Sequence, residues 1–177
     1  MKKGNVTSRR KQGGTILNMK CLKLVSHSPQ ETLDAGVRLG KLAEPGDIFL
    51  LSGNLGAGKT CLTQGIAWGL GTREYALSPT FVLMRELNKG RLPLYHIDLY
   101  RLDKIEEISD LGLDDYLFGR GLCVIEWAEK GISVLPASHL LITIDYLSDT
   151  ERGFEFIPHG KRYAKLLEQL RPLPARD

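Results

Sequence analysis

A chain of 177 residues, 42% hydrophobic and 25% charged, has the size and composition of one globular domain with a substantial core. No apolar stretch approaches the roughly 18 residues of a membrane-spanning helix, and the three cysteines show neither metal-ligand nor redox spacing, so the sequence points to a protein of the reducing cytoplasm. The net charge of +3 is uneven: Lys2, Lys3, Arg9, Arg10 and Lys11 supply five cations near the start, and the remainder is net acidic, which argues against strong direct binding to nucleic acid.

Residues 1–18 combine those cations with Gly4, Gly13 and Gly14, lack apolar periodicity and carry no signal-peptide core, which predicts a disordered basic extension. Both a basic arm that touches RNA and a plain upstream extension fit, the second being the simpler; the folded domain then occupies 19–177. Leu22–Ser26 reads as a short strand. Ser28-Pro29-Gln30-Glu31 has the form of a helix start, with Ser28 as N-cap and Pro29 first in a helix that runs to about Ala43 and stops at Pro45-Gly46. A strand over Gly46–Leu51 and a helix over Lys59–Leu70 flank a glycine-rich turn. Strands over Phe81–Leu87 and Leu92–Leu99 flank the hairpin-type turn Asn88-Lys89-Gly90. A polar helical stretch over 105–118 breaks at Gly112, and the wholly apolar Leu122–Ile125 reads as a central buried strand. Leu140–Tyr146 and Phe154–Ile157 are two further strands, and Lys161–Leu170 is an amphipathic helix. This alternation predicts a single α/β domain of the P-loop NTPase type, a mostly parallel sheet flanked by helices with an antiparallel hairpin inserted near 81–99.

The turn at 53–60 reads Gly-Asn-Leu-Gly-Ala-Gly-Lys-Thr, the pattern G-x-x-x-x-G-K-[ST] between a buried strand and a helix. Gly53, Gly56 and Gly58 allow the backbone of Asn54, Leu55, Ala57 and their neighbours to wrap a polyphosphate closely, with the N–H groups and the positive end of the next helix aimed at it. Lys59 brings a charge for the β- and γ-phosphates, and the Thr60 hydroxyl is a ligand for Mg²⁺. The expected ligands are therefore a nucleoside triphosphate, which the resemblance described below makes ATP, and Mg²⁺. Cys61, next in line, reads as a small packing residue bordering this loop.

Such a loop needs carboxylates at the ends of neighbouring strands. Glu126 follows Leu122–Ile125 and Asp98 follows Leu94-Tyr95-His96-Ile97, so Lys59, Asp98 and Glu126 are the candidate catalytic residues, with Thr60, Glu126 and Asp98 the candidate metal ligands. His96 fits a packed or hydrogen-bonded strand residue better than a catalyst. Trp127 suits the core and a place over the nucleotide equally.

The blocks Leu55–Thr60, Ser78-Pro79-Thr80-Phe81, Tyr95-His96-Ile97-Asp98-Leu99-Tyr100-Arg101, Gly112–Tyr116 and Val124-Ile125-Glu126-Trp127, in this order, resemble the TsaE family over about residues 26–158. Asn54 departs from that pattern, where Asp is frequent, at a variable place in the loop. The resemblance implies an ATPase of bacterial tRNA threonylcarbamoyladenosine synthesis that drives the cycle of the TsaD–TsaB complex and meets tRNA only through it. It further implies that Ala76–Phe81 is a switch segment in which Ser78 and Thr80 sense the γ-phosphate, that Pro29 and the start of the first helix border the adenine, and that Arg152 aligns with an arginine near the nucleotide; a solvated turn position fits Arg152 as well. Two other classes fit less well. A small-molecule P-loop kinase needs an arginine-rich lid, and no such cluster occurs. A GTPase needs Asn-Lys-x-Asp, which Asn88-Lys89-Gly90-Arg91 does not complete.

Overall fold

The computed structural model describes residues 21–171; the basic segment 1–18 lies outside the described residues. Seven strands form one sheet: β1 (Leu22–Ser26), β2 (Ile48–Ser52), β3 (Met84–Leu87), β4 (Leu94–Asp98), β5 (Leu122–Glu126), β6 (His139–Tyr146) and β7 (Arg152–His159), in the spatial order β1-β7-β6-β2-β5-β4-β3. The helices are α1 (Pro29–Leu42), α2 (Lys59–Gly69), α3 (Ile105–Ser109), α4 (Asp114–Leu117) and α5 (Lys161–Leu170), with a 3₁₀ turn at Ala128–Lys130. None among the described residues is long and apolar enough to cross a membrane.

The expectation of a mostly parallel sheet needs correcting. Strands β6, β2, β5 and β4 pair in parallel, but β7 joins β6, β1 joins β7, and β3 joins β4 in antiparallel register. The sheet is mixed, a parallel centre with antiparallel margins. The 81–99 hairpin is accordingly no insertion, because β4 belongs to the parallel centre and only β3 is added at the edge. The short connection from β6 to β7 can only return the chain antiparallel, since a parallel crossover needs a dozen or more residues.

Burial follows from sequence alternation across a sheet covered on both faces. Phe49, Leu51, Leu94, Leu122 and Val124 face α1, α2 and α5, while Ile48, Leu50, Ile97, Cys123 and Ile125 face the short helices α3 and α4 and the 3₁₀ turn. Strand β2 is buried throughout its apolar run, which is why it reads as continuous hydrophobicity.

The start of α1 is capped as expected, Ser28 Oγ accepting from Glu31 N at 3.2 Å. The reciprocal bond shifts by one residue: Glu31 accepts from His27 N at 2.7 Å. Helices α1 and α2 pack on facing glycines, Gly36 and Gly40 against Gly65 and Gly69. A methyl group at Gly65 would overlap the Leu33 carbonyl oxygen and lie 3.0 Å from Gly36 Cα. Their backbones are in contact, and α2 is the helix that the glycine-rich loop feeds.

The strand expected from Phe81 begins only at Met84. Val82 N and Leu83 N both donate to Pro79 O, at 2.9 and 2.7 Å, and Leu83 takes φ 64°, so the chain is still turning where β-branched and aromatic residues suggested extension.

Candidate active site

The carboxyl ends of β2, β4 and β5 meet at one edge of the sheet, and the loop 53–58 rises there into α2. Gly58, the N-cap of α2, has φ 107° and no side chain to cap with, so the first N–H groups of the helix have neither a helical acceptor nor a side-chain one. Gly53 has φ 149° and stands where a Cβ would strike the Ile144 backbone. This is a cradle built for an anion: uncapped donors at the positive end of a helix.

Lys59, first in α2, folds back over its own loop. Its Nζ donates to Gly53 O (2.5 Å) and Asn54 O (3.0 Å) and sits 3.8 Å from the centre of the Trp127 ring. Burial lowers the pKa of this ammonium, against the opposing pull of Glu126, Glu129 and Asp98. Trp127 is half-buried against the core on the α3–α4 side of the sheet, with φ 59°, and it turns its face to the loop lysine.

The two candidate carboxylates lie side by side, Asp98 opposite Glu126 in the β4–β5 register, and both are buried. Glu126 Oε2 accepts from Thr60 Oγ1 at 3.1 Å, and Oε1 lies 2.8 Å from His96 Nε2. Asp98 Oδ2 accepts from Ser78 Oγ (2.8 Å) and Thr80 Oγ1 (2.6 Å), whose oxygens stand 2.6 Å apart, while Oδ1 accepts from Tyr100 N at 2.9 Å. The Ser78 and Thr80 hydroxyls, which the resemblance assigns to sensing a γ-phosphate, line the cleft and are tied to Asp98. The turn after Pro79 explains this: it curls the segment back onto the end of β4, where Asp98 N donates to Leu83 O at 2.9 Å.

These groups line a cleft of about 320 Å³ that includes Leu55, Gly56, Gly58, Lys59, Thr60, Cys61, Ser78, Thr80, Asp98, Tyr100, Glu126 and Trp127. Pro29 and Arg152 do not border it. They line an adjoining hollow of about 230 Å³ on the other side of Gly56, Gly58 and Cys61, with Thr32 and Thr150. Arg152 is no free turn residue. It donates to Ser148 O (2.7 Å) and Glu151 O (2.8 Å), stacks on Tyr146, and reaches Gly56 O at 3.4 Å. Cys61, read as packing, is half-buried between the two hollows; its Sγ donates to Pro29 O at 3.6 Å, and burial raises its pKa.

The donor set fits Mg²⁺. Thr60, Glu126 and Asp98 bring a hydroxyl and two carboxylates, hard oxygen ligands that leave coordination sites for water and phosphate. Among the described residues no group of three or more His, Cys, Asp or Glu side chains is placed to enclose a metal by itself.

Two contributors escaped the sequence reading. Tyr100 lines the cleft and packs on Trp127 with ring centres 4.9 Å apart; its place two residues after Asp98 was the available signal. Gln64, one turn beyond Thr60 on α2, accepts from Ala76 N at 2.7 Å and donates to Glu74 O at 3.2 Å, so α2 itself holds the near end of the 76–81 segment. Only the helical spacing from Thr60 hinted at it.

A three-layer α/β domain with a glycine-rich strand-to-helix cradle beside two buried carboxylates defines the class of this protein. The family described as Threonylcarbamoyl adenosine biosynthesis protein TsaE matches residues 26–154, and the chain belongs to that family. It is 45% identical over 152 residues to the tRNA threonylcarbamoyladenosine biosynthesis protein TsaE of Bacillus subtilis, covering 86% of this chain and 95% of that one. The protein of the same name from Treponema pallidum is 44% identical over 131 residues, 74% of this chain and 96% of its own. The crystal structure of YdiB from Bacillus subtilis superposes with a TM-score of 0.75 at 42% identity, covering 85% of this chain and 94% of that one.

Proposed function

We propose that this protein is an ATP-binding and ATP-hydrolysing subunit required to form the threonylcarbamoyl group on the adenosine next to the anticodon of tRNAs, and that its ATP cycle drives the TsaD–TsaB transferase complex. The observation that carries the reading is the convergence in one cleft of the uncapped α2 cradle, the Lys59 ammonium, the Thr60–Glu126 pair and Asp98 with its two hydroxyls.

In this reading the N–H groups of the loop and of the first turn of α2 hold the phosphates, and Lys59 leaves the Gly53 and Asn54 carbonyls to bind the β- and γ-oxygens. Mg²⁺, held by Thr60 and Glu126 with Asp98 beside them, would offset the negative charge of the β- and γ-phosphates. Trp127 and Tyr100 close the apolar side and keep bulk water from Lys59. Asp98 orients the attacking water, and Ser78 and Thr80, released from it, report the γ-phosphate through the 76–81 segment. The hollow lined by Pro29, Thr32, Cys61 and Arg152 takes the nucleoside. Within the described residues there is no second constellation for the acyl transfer itself, so the work of the cycle falls on partners, and tRNA is met through them. Operation in the cytoplasm belongs to the same reading.

The test is multiple-turnover tRNA modification by the TsaD–TsaB complex with wild-type protein, with Lys59→Ala protein and with neither, alongside phosphate release. Wild-type protein should sustain many turnovers, and Lys59→Ala should lose about a hundredfold or more of hydrolysis. Equal turnover numbers in all three arms would reject the assignment.

A further inference from the structure

His96 is wholly buried on β4, on the same face of the sheet as Asp98 and one diagonal step from Glu126 across the β4–β5 pair. It does not line the cleft. Its Nε2 lies 2.8 Å from Glu126 Oε1, while Oε2 of that carboxylate takes the Thr60 hydroxyl. A carboxylate only accepts, so Nε2 carries the hydrogen of this bond. Nδ1 is buried with no partner. A side chain kept for packing would be better apolar at this position; the imidazole uses one N–H and leaves its other nitrogen unsatisfied.

A glutamate is loose about its last torsion, where the carboxylate rotates in a broad well. With Oε1 tied to the neighbouring strand, the plane of the carboxylate is set and only Oε2 turns toward Thr60. We infer that His96 is a positioning residue for Glu126, donating from Nε2 to Oε1 so that Oε2 alone is presented, already oriented, to Thr60 and a divalent cation. The inference rests on the reading of Glu126 as a Mg²⁺ ligand. Groups that orient a metal ligand from behind commonly change metal affinity ten- to a hundredfold when removed, about the effect to look for here.

The experiment titrates MgCl₂ into the full chain with a fluorescent ATP analogue, with a parallel EDTA arm for metal-free binding and a melting curve for each variant. His96→Leu removes the donor, and His96→Gln places an amide N–H at nearly the reach of Nε2. The Mg²⁺ midpoint should rise about tenfold in H96L and stay within about threefold of wild type in H96Q, while the EDTA-arm affinity shifts by less than about twofold in both. Should H96L not fold, His96→Asn, whose amide stops short of Oε1, takes its place with the same expected rise. An unmoved midpoint in H96L, or equal rises in H96L and H96Q, overturns the positioning role if Glu126→Gln moves the midpoint in the same assay. If Glu126→Gln leaves the midpoint unmoved too, the assignment of Glu126 to the metal fails, and the positioning role with it.

Discussion

Replacing Lys59 by methionine separates the ammonium's role in holding the empty loop from its role toward a ligand. In the structure Nζ makes two hydrogen bonds to backbone carbonyls and one contact with the Trp127 face. Losing the two bonds removes about 1 kcal/mol each, and the cation–π contact about 1 more. Against this, the ammonium is held at a desolvation cost, the cause of its lowered pKa, and a methionine thioether packs well on an indole. The net change should be about 2 kcal/mol or less, a fall in Tm of about 4–8 °C at most for a domain of this size. The effect on ligand binding shows separately, in the shift that nucleotide adds. At a nucleotide concentration a hundred times its Kd, wild-type protein gains about 2.7 kcal/mol, or about 5–10 °C. A hundredfold weaker site at the same concentration gains only about 0.4 kcal/mol, about 1 °C. Thermal unfolding with and without ATP and Mg²⁺ reads both quantities from four curves. A folded Lys59→Met protein that shifts as far as wild type would refute the assignment of Lys59 to the phosphates.

Asp98→Ala should slow hydrolysis about a hundredfold while nucleotide binding stays near wild type, whereas Glu126→Ala should also raise the Mg²⁺ requirement; equal losses of binding in both would end this division of roles. Gly65→Ala should lower stability by about 2–3 kcal/mol in urea unfolding, since the overlap with Leu33 O outweighs the roughly 1 kcal/mol that alanine adds to helix propensity; a gain in stability would show that α1 yields without cost. His139 is buried beside His159, its Nδ1 donating to Pro136 O at 2.7 Å, and burial first, then the His159 charge, lowers its pKa. A lowered histidine pKa means the unfolded chain binds the extra proton first, so this contribution is complete above about pH 6.5 and is lost as pH falls below it. His139→Asn, which keeps the bond to Pro136 O, should flatten the decline in Tm between pH 7 and 5. His27, raised by its bond to Glu151, pulls the other way in that window but is common to both chains, so an identical slope in the two would disprove the effect.

The parts of the site that sequence revealed are those fixed by local chemistry. Gly53, Gly56, Gly58, Lys59 and Thr60 are dictated by a backbone that must turn tightly within eight residues, so their spacing is their structure. Glu126 was readable because four apolar residues run straight into it. What was missed depends on strand order. That β4 lies beside β5, placing Asp98 next to Glu126 and His96 diagonal to it, is a non-local fact, and so is the return of β7 beside β6 that makes the sheet mixed. Ser78 and Thr80 were found as residues but not as ligands of Asp98, because the turn at Pro79 is shaped by contacts with the end of β4. Arg152 and Pro29 were placed with the nucleotide by resemblance, and the structure sets them together in a hollow beside the main cleft.

The glycine contact between α1 and α2 has a mechanical consequence. Helices that meet through side chains can slip by small rotamer adjustments. Here Gly36 and Gly40 lie opposite Gly65 and Gly69, and a slip of even one position would press a side chain into a carbonyl. The pair therefore behaves as a single plate, and what happens at the Thr60 end of α2 has no sliding route across the domain. In the proposed reading the exit from the cleft is the 76–83 segment, held at its near end by Gln64 and in its middle by the Ser78 and Thr80 hydroxyls on Asp98. Leu77, Phe81 and Val82, all largely exposed, ride on that segment, so in that reading a change beside Asp98 would be presented on the outer surface without any shift of the helices.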